Sequence, residues 1–470
     1  MTSSLIHDTQ LADGTSDVGL RWDGDVLVTA VELLPQPNVP TVLADGVAVT
    51  EDVIPLKVVA DCLWQFDINL LGIDVASEGR RVVAGTAYAR SYDQLISVRP
   101  GVIARRTWLI LRLRFDPDDL GIRNRGGGVE GAIAAAMSAT RRAARRLREE
   151  NCGAVVADAD SLRDAHAALS AGLGPEDTKI ERGTLATPNR FVTTYRVHPD
   201  DVTNLNLGTW WAHRSVSTAV IIRLTPDRRP GRVHMRTWVR YVTAARPDRS
   251  DRLPGLIRQY GDQAEALTAT MPLGEASWKA QQRIVSSPRA VRDIADLGDL
   301  QLPVGPGGQL IGSTPTNHPF LLPLTEPDTL TRIYVDAELW VAQQLVLRAL
   351  PSGATTRVTS SRPEQWWPMM RSLAEPRRLW LSQTDRLTRS ETARVATVQV
   401  CDHCPVSYPS GARTLLMIGT NNKEMEDQAD VVLRQRRGGL HADVWIDGRK
   451  RPVRLSVTKE ETRYLGRLDD

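Results

Sequence analysis

Cys401-Asp402-His403-Cys404 sets two thiols three positions apart with a histidine between them, a local pattern of metal-ligating residue types. Structural zinc takes four ligands, ordinarily from two such knuckles. The sequence has no second knuckle: Cys62 and Cys152 lie far upstream, and His441 is the one histidine further on. Two reduced cysteines beside a polar loop are therefore expected, and metal binding by Cys401, His403 and Cys404 stays open. Asp158 and Asp160 form a D-x-D after an apolar run, a carboxylate pair that could hold a divalent cation. The favoured reading is that Asp160 caps a helix starting at Ser161. Gly305, Gly307, Gly308 and Gly312 in "VGPGGQLIG" are dense enough for a phosphate loop. Such a loop needs a helix start and a following lysine, whereas strand-like residues follow here, so these are read as turn glycines. The 8 histidines are scattered, and neither a G-x-S-x-G elbow nor an H-E-x-x-H pair occurs. No catalytic, cofactor-binding or metal residue is assigned, and no cofactor is expected.

Arg141, Arg142, Arg145, Arg146 and Arg148 face away from the apolar stripe Val129, Ile133, Ala136, Thr140, Ala144 and Leu147 at helical spacing. This basic face could grip nucleic acid or acidic lipid, or dock an acidic protein. It carries no interleaved aromatics of the kind that bind single strands, and a solvated face is the plainer alternative. The tryptophan pairs Trp210-Trp211 and Trp366-Trp367 are read as strand residues: either the chain is buried on both sides there, or one indole is offered to a partner.

The elements that would position these groups alternate in type. "VGLRWDGDVLVTAVELLP" and "TVLADGVAV" read as strands around Asp-Gly turns. A short helix in "PLKVVADCLWQ" precedes the buried strands "INLLGIDV" and "TWLILRLRF". A helix spans about Val129 to Glu150, followed by strand "AVVAD", a second helix, strands across 180–243, and a helix near Pro254 to Ala269. Further on, "LPVGPGGQLIGSTPTNHPFLLPL" gives two strands, and "RIYV", a helix from Ala337 to Leu350 capped by Asp336, and "TTRVTS" form a βαβ unit. The tail is a meander with turns at Gly438-Gly439 and Asp447-Gly448. The fold class is α/β, as two α/β domains with mixed sheets and a C-terminal β-meander. The boundaries are a flexible tail at 1–17, a first domain at 18–275, a linker at 276–298 and a second domain at 299–470.

With 470 residues, the chain exceeds one ordinary domain. The 59 basic and 56 acidic residues nearly balance, which gives no global drive toward nucleic acid or membrane. Four cysteines are too few for a disulfide scaffold. The sequence has no apolar run of about 18 residues and no signal-peptide start, so the chain is expected to be cytosolic with no membrane span of its own.

In a nucleotide-binding domain the loop after "RIYV" would carry glycines and a lysine; here it is Asp336-Ala337-Glu338, with the charge sign of phosphate itself. The order of segments before it resembles the entry of FtsK/SpoIIIE-type ATPase domains without the Walker residues, which implies a degenerate P-loop-like shell lacking nucleotide. "RWDGDVLVTAVELLPQPNVPTVLADG", "VVADCLWQFDINLLGIDV", "RRTWLILRL" and "LPVGPGGQLIG" together resemble the EccE family, a component of the actinobacterial type VII (ESX) secretion system. The resemblance implies a structural subunit of a plasma-membrane complex, facing the cytoplasm, with EccB, EccC and EccD as partners and EccC as the ATPase. It supplies no catalytic residues. Family members begin with two transmembrane helices that this sequence does not show, so membrane association is expected through partners or through such helices. The expected function is a non-catalytic support for assembly and protein export. The rivals are an enzyme, either nucleotide hydrolase or sugar transferase, and a nucleic-acid-binding module.

Overall fold

The computed structural model describes residues 18–465 apart from 87, 175–176, 249–252, 285–289, 326–329, 383–394, 407–410 and 437–438. The expected tail at 1–17 and the turn residue Gly438 lie outside the described residues. The protein is mixed α/β, built on two large sheets of twelve described strands each. Two compact units share the chain. One runs to Gln36, then takes Asp52–Arg80 and Arg105–Pro306; the other takes Pro37–Glu51, Arg81–Ala104 and everything from Gly307 onward. The chain therefore leaves the first unit twice before entering the second for good. The expected division at 275 and 299 differs from this: 37–51 and 81–104 fall with the second unit, and 276–306 with the first. The hairpin Thr41–Ala44/Val47–Val49 joins the second unit's sheet. Within 276–298, the expected linker, the helix Glu275–Arg283 buries Ser277 and Gln281 against Arg223 of the first unit.

In the first unit the sheet runs Arg21–Asp23, Val26–Leu34, Ala104–Arg114, Gly72–Arg80, Ser217–Pro226, Arg232–Thr243, Arg190–Val197, Leu185–Thr187, Lys179–Ile180. Strand Gly153–Val156 pairs antiparallel with Val26–Leu34, beyond the stretch that pairs with Arg21–Asp23. The strands are long and β-branched, and those at the centre are buried on both faces. Helix Gly128–Glu149 covers the opening strand, as its apolar stripe requires. A buried bond between the Thr29 and Thr140 hydroxyls, 2.6 Å long, pins helix to strand. Charge also enters this core: the Asp74 carboxylate receives Arg223 at 2.6 Å and Arg112 at 2.8 Å, with all three side chains buried. Arg223 donates further to Gln281, Ser277 and the Ala269 carbonyl, which fastens the two helices Gln263–Ala269 and Glu275–Arg283.

In the second unit six strands are parallel, in the order Leu379–Leu381, Thr356–Ser360, Val398–Asp402, Thr414–Ile418, Thr331–Asp336, Val431–Gln435. The sheet continues antiparallel through His441–Ile446, Arg449–Arg454, Gln309–Ser313, Pro319–Leu322, Thr41–Ala44 and Val47–Val49. The tail is thus the expected meander. Strands Thr331–Asp336 and Thr356–Ser360, joined by helix Leu339–Ala349, belong to the same parallel stretch with two other strands between them. Gly308 and Gly312 serve close strand packing: a Cβ on Gly308 would lie 2.2 Å from the Leu322 carbonyl carbon, and one on Gly312 would lie 2.4 Å from the Arg454 oxygen. Inside this unit Arg348 and Glu461 form a fully buried pair, 2.7 Å apart, joined by the Tyr88 hydroxyl at 2.8 Å.

Candidate functional site

Helix Gly128–Glu149 in the first unit presents the basic face expected of it. Arg141, Arg145, Arg146 and Arg148 are exposed and Arg142 is half-buried, while Ala136, Ala143, Ala144 and Leu147 sit in the core. The arginines are only partly engaged. Arg145 meets Glu149 at 3.0 Å and Arg146 meets the same carboxylate at 3.8 Å, both in the open. Such exposed pairs are worth a few tenths of a kcal/mol, so they leave the positive field of the face largely intact. The Arg148 Nε donates back to the Ala144 carbonyl at 3.2 Å.

Beside this face stands a residue that no sequence pattern singles out. Phe66 is 95% exposed and holds φ at 59°, a conformation that bulky side chains rarely adopt. It occupies the turn of the hairpin Trp64–Gln65/Ile68–Asn69. The Gln65 side chain ties that hairpin to the helix through the Ala139 carbonyl at 3.2 Å. The Arg142 guanidinium lies over the Phe66 ring, 5.2 Å from its centre. An exposed aromatic ring against Arg142, on a helix that carries four further arginines, is an amphipathic patch: apolar contact at one end and charge complementarity along the helix.

In the second unit, chemistry-bearing residues gather at the carboxyl ends of the parallel strands. Strands Thr356–Ser360 and Val398–Asp402 are neighbours there, while the next strand in sequence after the former, Leu379–Leu381, lies on the other side. In open α/β sheets this reversal is where ligands bind. Asp402 occupies the position, fully buried, and accepts from Ser360 Oγ at 2.6 Å, Trp366 Nε1 at 2.9 Å and Arg362 Nη2 at 2.9 Å. Burial alone would raise its carboxyl; the bonds from Arg362, Ser360 and Trp366 outweigh it and hold the pKa below the usual value. A carboxylate so saturated is a brace and has little capacity left as a base.

The neighbouring cysteines follow suit. Cys401 is buried, and the Cys404 Sγ lies 3.4 Å from the Thr359 carbonyl. The Cys401 thiol in contact with it, together with burial, pushes the Cys404 thiol well up. Among the described residues no group of three or more His, Cys, Asp or Glu side chains is placed to hold a metal ion.

The other sequence candidates also find structural partners. Asp336 does not cap the following helix; its Oδ2 accepts from Arg434 at 3.2 Å, and Arg434 reaches Glu426 at 2.8 Å. Glu338 holds the N-cap position without a side-chain cap bond, because its Oε2 accepts from Trp340 Nε1 at 2.6 Å. Asp158, and not Asp160, caps the helix Ala159–Leu169 by accepting from the Ser161 amide at 2.8 Å, and Asp160 pairs with Arg163 at 2.7 Å. Trp210 and Trp211 lie on the helix Asn204–Ala212, both buried, so neither is offered to a partner. In the second pair Trp366 is buried and Trp367 is half-exposed. No described helix is long and apolar enough to cross a membrane.

The family model for "type VII ESX secretion system translocon, EccE" matches residues 102–197, a stretch that includes the whole arginine-faced helix. The chain is 26% identical over 341 residues to the ESX-1 secretion system protein EccE1 of Mycolicibacterium smegmatis, covering 72% of this chain and 63% of that protein. It is 25% identical to the ESX-2 secretion system protein EccE2 of Mycobacterium tuberculosis, covering 97% of this chain and 83% of the relative. The ESX-5 secretion system protein EccE5 of Mycobacterium marinum is 31% identical, over 54% of this chain and 62% of its own length. The match thus spans less than two thirds of the ESX-1 relative. Across three ESX systems, and in the residues on which the sequence resemblance rests, the chain is similar to the EccE components of type VII ESX secretion systems.

Proposed function

We propose that this chain is a non-catalytic structural subunit of the ESX membrane complex, at the cytoplasmic face of the plasma membrane. On this reading it supports assembly and protein export by holding other subunits, with EccB, EccC and EccD as partners. The observation that carries the proposal is the patch of Phe66 and Arg141, Arg142, Arg145, Arg146 and Arg148. It joins an exposed aromatic anchor to a basic helix whose packing face is already satisfied. Its complement is an acidic surface with an apolar recess on a neighbouring subunit. The parallel stretch of the second unit reads as a degenerate P-loop-like shell, since the loop after Thr331–Asp336 offers Asp336 and Glu338 engaged with Arg434 and Trp340.

The test is co-purification. A chain carrying Arg141→Glu, Arg145→Glu and Arg148→Glu is expected to fold normally and to lose most of its recovery with EccB, EccC and EccD. Recovery equal to that of the unaltered chain would show that the patch docks nothing. Separately, steady phosphate release from ATP or GTP with magnesium, reduced by Asp336→Asn, would overturn the non-catalytic reading.

A further inference from the structure

A cleft of about 350 Å³ opens at the far edge of the first unit's sheet, beside strands Lys179–Ile180 and Leu256–Arg258. Three guanidinium groups and one carboxylate line it: Arg182, Arg246, Arg258 and Glu181, with Gly183 and Tyr260. Arg258 is oriented by its surroundings. Its Nη2 donates to the Tyr195 hydroxyl at 3.0 Å and the Asp248 carbonyl at 2.8 Å. Its guanidinium carbon lies 5.5 Å from the Tyr195 ring centre and 5.7 Å from that of Tyr260. With Nη2 committed, Nε–H and Nη1–H have no partner among the described residues and can meet a ligand.

Arg246 is held by Glu181 through two bonds, one of 2.9 Å, and stacks 5.1 Å over Phe191. Arg182 is exposed and has no side-chain partner among the described residues, while its carbonyl accepts from the Gly261 amide at 2.7 Å, which fixes its backbone beside Tyr260. Gly183 leaves room for the Tyr260 ring, since a Cβ there would lie 3.1 Å from it. Tyr260 is 48% exposed and presents a flat surface to the opening.

Arg246 is paired with Glu181, which leaves the positive charges of Arg258 and Arg182 unbalanced, and an anion in the cleft neutralises them. The planar fork of arginine matches phosphate oxygens two at a time. The volume lies at the small end of the roughly 300–1,000 Å³ typical of small-molecule sites, and an aromatic ring beside arginines suits a flat heterocycle. We propose that this cleft binds a phosphate-bearing small molecule of nucleotide size, its phosphates on Arg182 and Arg258 and its planar part against Tyr260.

The full chain is titrated with ADP, pyrophosphate, adenosine and triglutamate at about 0.15 M salt, following the unfolding temperature and the heat of binding. ADP and pyrophosphate are expected to raise the unfolding temperature, with ADP binding tighter, and adenosine to leave it unchanged. Arg182→Glu, an exposed change expected to keep the unliganded unfolding temperature, should weaken ADP binding at least tenfold. The proposal fails if neither phosphate compound binds at 10 mM-scale concentrations, or if Arg182→Glu binds ADP as well as the unaltered chain does. It fails equally if adenosine matches ADP, or if triglutamate binds while pyrophosphate does not.

Discussion

Phe66 holds a left-handed backbone conformation that costs roughly 1–2 kcal/mol for a side chain of its size, and its ring is spent on solvent. Asparagine tolerates that conformation. Phe66→Asn should therefore leave the unfolding midpoint unchanged, or raise it by up to about 1 kcal/mol, while weakening recovery of the ESX partners. A lower midpoint with full recovery would mean that the ring serves the fold alone. Asp52 gives a second residue-scale expectation. Burial lifts its carboxyl to about 6, only partly offset by the amides of Gln36 and Gly305 and by Arg105. The folded protein thus binds the proton more tightly than the unfolded chain does. Stability then falls as pH rises from about 4 to about 6, and the cost persists above that. Asp52→Asn should flatten this part of the pH profile and stabilise the protein at pH 7 by up to about 3 kcal/mol. An unchanged profile in urea titrations at pH 4.5 and 7 would exclude that origin. Glu461 works in the opposite sense: burial would raise it, but the charge and bonds of Arg348 prevail and hold it low. Its contribution is present above the ordinary glutamate value and is lost as pH falls through the lowered one. Arg348→Met leaves that carboxylate buried without its counter-charge and should cost about 3–5 kcal/mol, read from the urea midpoint.

At the level of elements, the arginine-faced helix is fixed to the opening strand by the Thr29–Thr140 hydroxyl pair. Thr140→Val keeps the shape and removes one partner, so it should cost about 1–3 kcal/mol; a loss below about 0.5 kcal/mol would show that the bond adds nothing beyond packing. This helix was legible in the sequence, because its apolar stripe recurs at helical spacing over some twenty positions. The Asp-Gly turns were legible too: Asp45 and Gly46 have φ of 51° and 80°, and Asp447 and Gly448 have 49° and 73°, as tight hairpins demand. Trp210 and Trp211 were not, since their helix has only nine residues and its exposed Leu205 breaks the apolar pattern that would reveal its period. Asp336 looked like a cap because its neighbours fit one. Its actual partner, Arg434, comes 98 positions later and arrives only when two parallel strands align. Phe66 gave no signal at all, because its exposure and strain belong to a hairpin only two residues long on each side.

For the whole molecule, the α/β class was legible in the sequence but the route of the chain between the two units was not. Hydrophobic pattern reports that a strand is buried, not which sheet buries it. Leu43, Tyr88, Tyr92 and Ile96 lie in the core of the second unit with residues from 310 onward, and the Tyr92 hydroxyl accepts from the Leu310 amide at 2.9 Å. A fragment beginning at residue 299 is therefore expected to lack cooperative unfolding by circular dichroism, and a sharp transition from it would show that the early segments are dispensable. The bond from Tyr88 to Glu461 has a temporal meaning as well. Its partners are 373 positions apart, and at about 5–20 residues per second a ribosome needs on the order of 20 to 75 s to pass from one to the other. Tyr92 and the hairpin Thr41–Ala44/Val47–Val49 wait until residues 310–322 are made, and Tyr88 waits for Glu461 through the whole interval. A nascent chain of this layout leaves those apolar residues without their native cover for longer than two units laid out end to end would.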